Sequence, residues 1–196
     1  MANKSYKGFR PVRRLGDGFC GDVNLYYIPA TDGTALFKGD LVKLAGSASD
    51  DGYATVAQAA ASDVCVGVVV GFRADPTNLN IGGTYRAAST ARYVLVADDP
   101  NLIMEAQEDA VGGALATTSV GQAINFVVGS GSTTTGQSAM EVDSSTGVTS
   151  GGTALPLKVI GFVNRPDNEI GSANAKVLVG WNNHAYRNAT GGFAGV

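Results

Sequence analysis

Short apolar stretches recur along the chain and are separated by glycine, proline, aspartate and asparagine. The stretch Val64–Phe72 is rich in β-branched residues and lies between Asp63 and the pair Asp75-Pro76, so it predicts a central strand that is buried on both faces. In several other stretches apolar and polar residues alternate, which is typical of a strand with one wet face. The other predicted strands are Val23–Ile28, Leu41–Leu44, Tyr53–Gln58, Tyr93–Ala97, Leu102–Gln107, Ala123–Val128, Ser138–Asp143, Pro156–Val163 and Lys176–Trp181.

The stretch from Arg92 to Gln107 contains two of these strands, separated by Asp98-Asp99-Pro100-Asn101. Aspartate and asparagine side chains bond back to the main chain, and proline fixes one backbone dihedral, so this tetrapeptide predicts a tight turn. We therefore expect Tyr93–Ala97 and Leu102–Gln107 to form a β-hairpin.

About ten short strands at this spacing, without a convincing amphipathic helix, predict an all-β protein. We expect an antiparallel, jelly-roll-like sandwich or barrel. A smaller barrel built from residues 23–72 is the alternative arrangement, and the long connection from Arg73 to Thr90 would then separate two subdomains.

The charge distribution divides the chain of 196 residues into two parts. The net charge is −3, yet five bases precede the first acid, Asp17, and the rest of the chain carries nine bases and 17 acids. Glycine and proline oppose regular structure near the N-terminus. We therefore expect residues 1–22 to form an extended basic arm on an acidic body of residues 23–196, with a glycine-rich C-terminal tail from about residue 182.

The arm alternates basic and aromatic side chains, and such a segment can become ordered on a partner. A frayed terminus is the alternative. Aromatic residues are enriched at protein contacts, so two aromatics of the C-terminal tail join the arm as candidates. The predicted partner-binding residues are Lys4, Tyr6, Lys7, Phe9, Arg10, Arg13, Arg14, Tyr186 and Phe193.

Motifs for catalysis are weak in this sequence. Gly16-Asp17-Gly18-Phe19-Cys20-Gly21 matches G-x-G-x-x-G, but a dinucleotide site needs a strand before it and a helix after it. His184, the only histidine, lies in the predicted tail, where it suits surface hydrogen bonding, and no nucleophile motif accompanies it. We therefore predict no catalytic, cofactor-binding or metal-binding residue and no enzymatic activity.

Five acids lie between Asp98 and Asp109, and calcium is bound by several such oxygen ligands. Their spacing does not match an EF-hand loop, and Asp98-Asp99-Pro100 is explained as a turn. The sequence leaves open whether this acidic cluster binds a cation. Trp181 alternates with Val177 and Val179, which places it in the predicted core.

Residues Met1–Lys7 are not followed by an apolar segment, so we expect no signal peptide. No apolar stretch approaches the roughly 18 residues of a membrane span, and no membrane partner is expected. Cys20 and Cys65 are too few for a disulfide framework, and Cys65 is expected to be a buried free thiol. Synthesis in a reducing cytoplasm fits these features.

Five segments, in order, resemble the decoration (cement) proteins of tailed-bacteriophage capsids. They are Phe37–Leu44, Val66–Gly71, the run from Arg92 through Asp98-Asp99-Pro100 to Glu105-Ala106-Gln107-Glu108-Asp109, Gly136–Met140 and Val177–His184. The resemblance implies a structural virion protein made in the host bacterial cytoplasm and located on the capsid exterior. It also implies the major capsid protein as partner and a homo-oligomer, either dimer or trimer. Such a protein would bridge neighbouring capsid subunits and stabilise the expanded head. A basic arm on an acidic body does not fit a nucleic-acid-binding protein as a whole, so no direct contact to nucleic acid is expected, although the arm itself could touch nucleic acid or an acidic protein surface.

Two other functions share this pattern of strands. The chain could be another phage structural part, from a tail or a fibre base, or a carbohydrate-binding β-sandwich. Carbohydrate sites present exposed aromatic rings, and the single tryptophan, Trp181, argues mildly against that function. A hydrolase on a β scaffold would rest on the acidic cluster alone.

Overall fold

A computed structural model gives the fold and describes residues 8–18, 21–75, 82–149 and 154–187. Strands make up nearly all of its regular structure, and a short 3-10 turn lies at Thr117–Ser119. The all-β class predicted from the sequence is confirmed. The strands are β1 Arg10–Arg14, β2 Asp17–Gly18, β3 Asn24–Ile28, β4 Leu36–Phe37, β5 Leu41–Ala48, β6 Ala54–Gln58, β7 Gly67–Phe72, β8 Tyr85–Arg86, β9 Arg92–Ala97, β10 Leu102–Gln107, β11 Ala123–Val127, β12 Glu141–Val148, β13 Leu157–Phe162 and β14 Lys176–Trp181.

One lobe is a closed five-stranded barrel in the order β3-β6-β5-β7-β9. Strands β3 and β6 pair in parallel, and the other neighbours pair antiparallel. Alternate side chains point inward and fill the barrel, among them Ile28, Val56, Val69 and Val94. The small barrel that the sequence suggested for residues 23–72 is therefore present, and β9 completes it.

The second lobe is a seven-stranded antiparallel sheet in the order β12-β11-β13-β14-β10-β1-β2. An isolated bridge between Glu108 and Val142 joins the end of β10 to β12, so the sheet curls around its own apolar side. Its core includes Met104, Phe126 and Val179.

Strands β5 and β7 lie between the two lobes, and successive residues in them face different cores. Val68 packs in the core between the lobes, whereas its neighbour Val69 packs inside the barrel. In β5, Leu41 and Val42 divide in the same way. Strand β7 is thus the central strand, buried on both faces, that the run Val64–Phe72 predicted.

The predicted β-hairpin is wrong, because the two strands that the turn at Asp98–Asn101 joins do not pair with each other. The turn forms, because the Leu102 amide donates to the Asp99 carbonyl at 3.0 Å and the Asn101 amide donates to the Asp99 carboxylate at 2.7 Å. However, β9 pairs with β3 and β7 in the barrel, and β10 pairs with β1 and β14 in the sheet. The turn therefore carries the chain from one lobe to the other.

The described part of the predicted N-terminal arm belongs to the sheet. Strand β1 lies between β10 and β2, and Gly16, at φ +96°, makes the turn between β1 and β2. Phe9 is 1% exposed, and its ring meets that of Phe126 edge-on at 6.2 Å. Residues 8–18 are thus part of the folded body, in contrast to the extended arm that the composition suggested.

Residues 182–187 pack across the barrel instead of forming a free tail. Ala185 lies in the barrel core, and its amide donates to the carbonyl of Cys65 at 2.8 Å. Cys65 is buried, as predicted. His184 is 1% exposed, so the prediction of a surface histidine is wrong.

Candidate protein-binding face

The outer face of the curled sheet is built from residues that alternate with the core residues of β1, β10, β14 and β13. Register places Arg13 beside Ile103, Ile103 beside Gly180, and Gly180 beside Lys158. Cross-strand partners project to the same side of a sheet. Because Gly180 has no side chain, this row is lower at its centre than at its ends.

A groove of about 400 Å³ lies over this low point. Its apolar floor and sides include Leu15, Ile103, Ile160 and Trp181, and cationic Lys158 and Arg187 lie at its border. Leu15 is 68% exposed although it is apolar. An apolar depression with cationic edges suits a partner that presents apolar and acidic side chains together.

A second, smaller depression on the same face continues the positive charge. Arg165 makes a bidentate contact with the Glu105 carboxylate, at 3.0 and 2.6 Å, and Lys176 pairs with Asp167. Arg10 borders it and is exposed. Among the described residues that line the two depressions, the bases are Arg10, Lys158, Arg165, Lys176 and Arg187, and the acids are Glu105 and Asp167.

This basic face contrasts with the remainder of the chain, in which acids exceed bases. A face of one sign attracts an oppositely charged partner during the approach and rejects partners of like charge. Surface ion pairs such as Arg165–Glu105 contribute only about 0.2–1 kcal/mol to stability. These charges therefore contribute little to the stability of the fold. We name the set Arg10, Arg13, Leu15, Lys158, Trp181 and Arg187 the basic face.

Two of the predicted partner-binding residues, Arg10 and Arg13, are exposed on the basic face. Arg14 lies on the opposite side of β1, where it is half-buried and pairs with Asp22 and Asp99. Phe9 is a core residue and is unavailable for contact. The predictions for Lys4, Tyr6, Lys7 and Phe193 lie outside the described residues.

Tyr186, predicted to contact a partner, is half-buried at the end of the barrel. Its hydroxyl lies 2.8 Å from that of Tyr26, which donates to Asp98 at 2.6 Å. Burial and the neighbouring Asp98 raise the pKa of Tyr26, so its phenol keeps its proton. This chain of hydrogen bonds fixes Tyr186 to the barrel.

His184 joins the C-terminal segment to the barrel through both ring nitrogens. Nε2 lies 2.8 Å from the Val66 carbonyl and therefore donates, and Nδ1 accepts from the Tyr186 amide at 3.1 Å. Burial lowers the pKa of His184 to about 4. The imidazole is neutral, and its role is structural.

The basic face includes residues that the sequence analysis did not select. Trp181 was predicted as core, and it packs against the core on the same side as its cross-strand partner Leu157. Its Nε1 donates to the Asp99 carbonyl at 3.2 Å, and the residue also borders the groove. Lys158 and Gly180 alternate with core residues along their strands. From that alternation, the sequence could have predicted that both residues lie on an outer face. Their position in one row with Arg13 follows only from the order of the strands in the sheet.

The acidic cluster is divided among separate structural contacts. Glu108, fully buried, accepts from the amides of Ala110 and Ala175 at 2.8 and 3.2 Å. Asp109 accepts from the amide and hydroxyl of Ser144. Asp98 accepts from the Tyr26 hydroxyl of the barrel, Asp99 accepts from the Asn101 amide within the turn, and Glu105 pairs with Arg165. Within the residues that the structure describes, no group of three or more His, Cys, Asp or Glu side chains is arranged to hold a metal ion.

Comparisons with known proteins add no relative to this description. No protein-family model matches the chain, no curated protein matches it, and no solved structure matches it. Among the described residues, no helix has the length and apolar character needed to span a bilayer. The fold is that of a two-lobed all-β protein, and the basic face is a charged, partly apolar region on the outside of its curled sheet.

Proposed function

We propose that this chain is a capsid decoration protein of a tailed bacteriophage. It binds the outer surface of the head, bridges neighbouring major capsid subunits and stabilises the expanded shell. The proposal also includes self-association as a dimer or trimer. Its mechanism is mechanical, because each contact that spans two subunits raises the free energy needed to separate them.

The observation that carries the proposal is the placement of the five segments that resemble decoration proteins. They are far apart in sequence but form one connected unit. Within Phe37–Leu44, Lys38 bonds to Gly136 and Ser138 at 3.0 and 2.9 Å, and Gly39 donates to Val69 at 2.8 Å. Strand β7 pairs with β9, and β10 pairs with β14. The resemblance therefore covers the contact between the two lobes, which is the part of the chain that defines the fold.

The basic face supports the same function. It offers an apolar groove for anchoring and positive charge for orientation, the combination that specific protein contacts use. Arg10 and Arg13 project from β1, which is held in the sheet by β10 and β2. A rigid strand loses less conformational entropy on binding than a free arm does. We place the capsid contact on this face.

Reversing charge on the basic face tests the proposal. Arg10→Glu together with Arg13→Glu should weaken binding to expanded heads prepared without this protein by at least about tenfold. Binding is measured by co-sedimentation of the full chain with the heads over a range of protein concentrations. Cryo-electron microscopy of heads saturated with wild-type protein should then show the basic face turned toward the shell.

Arg73→Glu is the matched control, since it makes the same kind of change at an exposed site on the barrel. It should alter head binding by less than about twofold. Undiminished binding of the double variant, or an equal loss in the control, would contradict the assignment of this face. Density for the chain in a tail or fibre base would favour the alternative of another virion part.

A further inference from the structure

Three tyrosines lie together on the outer surface of the barrel, where the packing of the barrel core does not require them. Tyr27 and Tyr93 are cross-strand partners that point away from the barrel core, and their ring centroids are 5.2 Å apart. Tyr53, 38% exposed, meets Tyr93 edge-on at 5.5 Å. The wet side of a barrel ordinarily carries polar residues, so three adjacent tyrosines there point to a ligand.

A cleft of about 390 Å³ runs beside Tyr27 and Tyr93. Charged side chains of both signs line it: Asp51, Asp75, Arg73 and Arg92. The Tyr93 hydroxyl donates to Asp51. The guanidinium of Arg73 lies over the Tyr93 ring, 5.6 Å from its centroid.

Arg92 lines the cleft and is held in one position by its hydrogen bonds. It is 3% exposed and donates to the carbonyls of Gly82 and Arg73 at 2.8 and 3.4 Å. Its guanidinium also lies 5.8 Å from the centroid of the Phe72 ring. The backbone of Arg73 is thus attached to β9, and the aromatic and charged groups of the cleft are held on a rigid strand.

We propose that this cleft binds a neutral saccharide. Two carboxylates and two guanidinium groups balance in charge, which disfavours a strongly anionic or cationic ligand and suits one with many hydroxyl groups. Each hydroxyl can donate to Asp51 or Asp75 and accept from Arg73, while a tyrosine ring packs against the C–H face of a sugar. The volume is in the range of small-molecule sites.

The cleft is distinct from the basic face. It lies at the start of β9, whereas the groove lies beyond the turn that follows the end of β9. The two sites share no lining residue. Substitutions in one site therefore leave the lining of the other unchanged, so the two proposals can be tested separately.

The full chain should be applied to an array of neutral, anionic and amino oligosaccharides, and the strongest hit titrated by calorimetry. We expect binding to neutral saccharides that Tyr27→Ala and Asp51→Ala each weaken by at least about tenfold. Tyr27→Phe, which keeps the ring, should remain within about threefold of wild type. The thermal unfolding of each variant shows whether the barrel is intact.

Arg13→Glu on the basic face is the second control and should leave saccharide binding unchanged. The proposal is overturned if no neutral saccharide binds more tightly than about 1 mM. It is also overturned if only anionic saccharides bind and binding disappears in Arg13→Glu, since the basic face would then be the ligand site. If the chain binds saccharides but not heads, the proposed capsid function is refuted and the proposed saccharide site still stands.

Discussion

Replacing Arg86 by methionine should lower the free energy of unfolding by about 4 kcal/mol. Arg86 is fully buried, and its guanidinium donates to four main-chain carbonyls, with a longer contact of 3.7 Å to the Asp32 carboxylate. The accepting carbonyls belong to Pro29, Asp32, Thr34 and Thr90.

The size of this effect follows from what methionine leaves behind. Methionine fills a similar volume but has no donor. The carbonyls of Thr34 and Thr90 then lose the guanidinium, whereas those of Pro29 and Asp32 keep the amides of Asp32 and Ser89 as partners. Each unsatisfied buried acceptor is worth about 1–3 kcal/mol. Partial rearrangement of the loops between β3 and β4 and between β8 and β9 keeps the total below the full sum.

Urea unfolding at neutral pH measures the effect, with Arg86→Lys and Arg10→Met as companions. Lysine keeps the charge but lacks the planar fork, so Arg86→Lys should fall between wild type and Arg86→Met. Arg10 is exposed, and Arg10→Met should change stability by less than about 0.5 kcal/mol. Equal stability of Arg86→Met and Arg10→Met would contradict the role assigned to Arg86.

The second large effect is a loss of stability of about 3 kcal/mol between pH 6.5 and pH 4 that depends on His184. Its pKa in the folded protein is about 4, against an ordinary value of 6.5. In this window the unfolded chain therefore binds a proton that the folded chain excludes. The stabilisation is complete above pH 6.5 and is lost as the pH falls toward 4.

The contacts of His184 explain why the folded protein excludes the proton. Protonation would turn Nδ1 from acceptor to donor and abolish its bond with the Tyr186 amide. It would also place a charge in a buried site. Because this imidazole ties residues 182–187 to the carbonyl of Val66, acid should loosen that segment first.

Two measurements check this prediction. His184 is the only histidine, so its ring-proton resonances report its pKa directly, and a value near 6.5 would contradict the burial argument. Urea unfolding of wild type and His184→Gln, compared from pH 7 to pH 4, should show the two stabilities converging as the pH falls. Parallel curves would assign the acid sensitivity to other groups, since carboxylates such as Asp63 and Asp167 also titrate at low pH.

Local patterns predicted the strands well but not their partners. The run Val64–Phe72 identified the central strand because β-branched residues facing two cores leave an uninterrupted apolar stretch. The same kind of pattern gave Tyr93–Ala97 and Leu102–Gln107 correctly as strands. Whether two strands joined by a turn pair with each other depends on the remaining strands, and here β1 and β14 occupy the positions beside β10.

The candidate site could be predicted only in part, because charge is visible in the local sequence whereas the side of the sheet on which a residue lies is not. Arg10 and Arg13 were selected for their charge, which is a local property, and they do lie on the outer face. Arg14 and Phe9 lie in the same basic and aromatic segment, but their side chains project to the other side of the sheet. The composition of residues 8–14 suggested an arm because exposed basic residues mark both a free segment and the wet side of a strand. Tyr27 and Tyr93 meet only through the pairing of β3 with β9.

The position of β1 has a consequence for how the protein is made. This strand is synthesised about 90 residues before its partner β10, and β14, on the other side of β10, follows about 70 residues after β10. The barrel can close once β9 has been synthesised, whereas the sheet must wait for β14. Such a high contact order predicts slow, late assembly of the sheet around an already folded barrel.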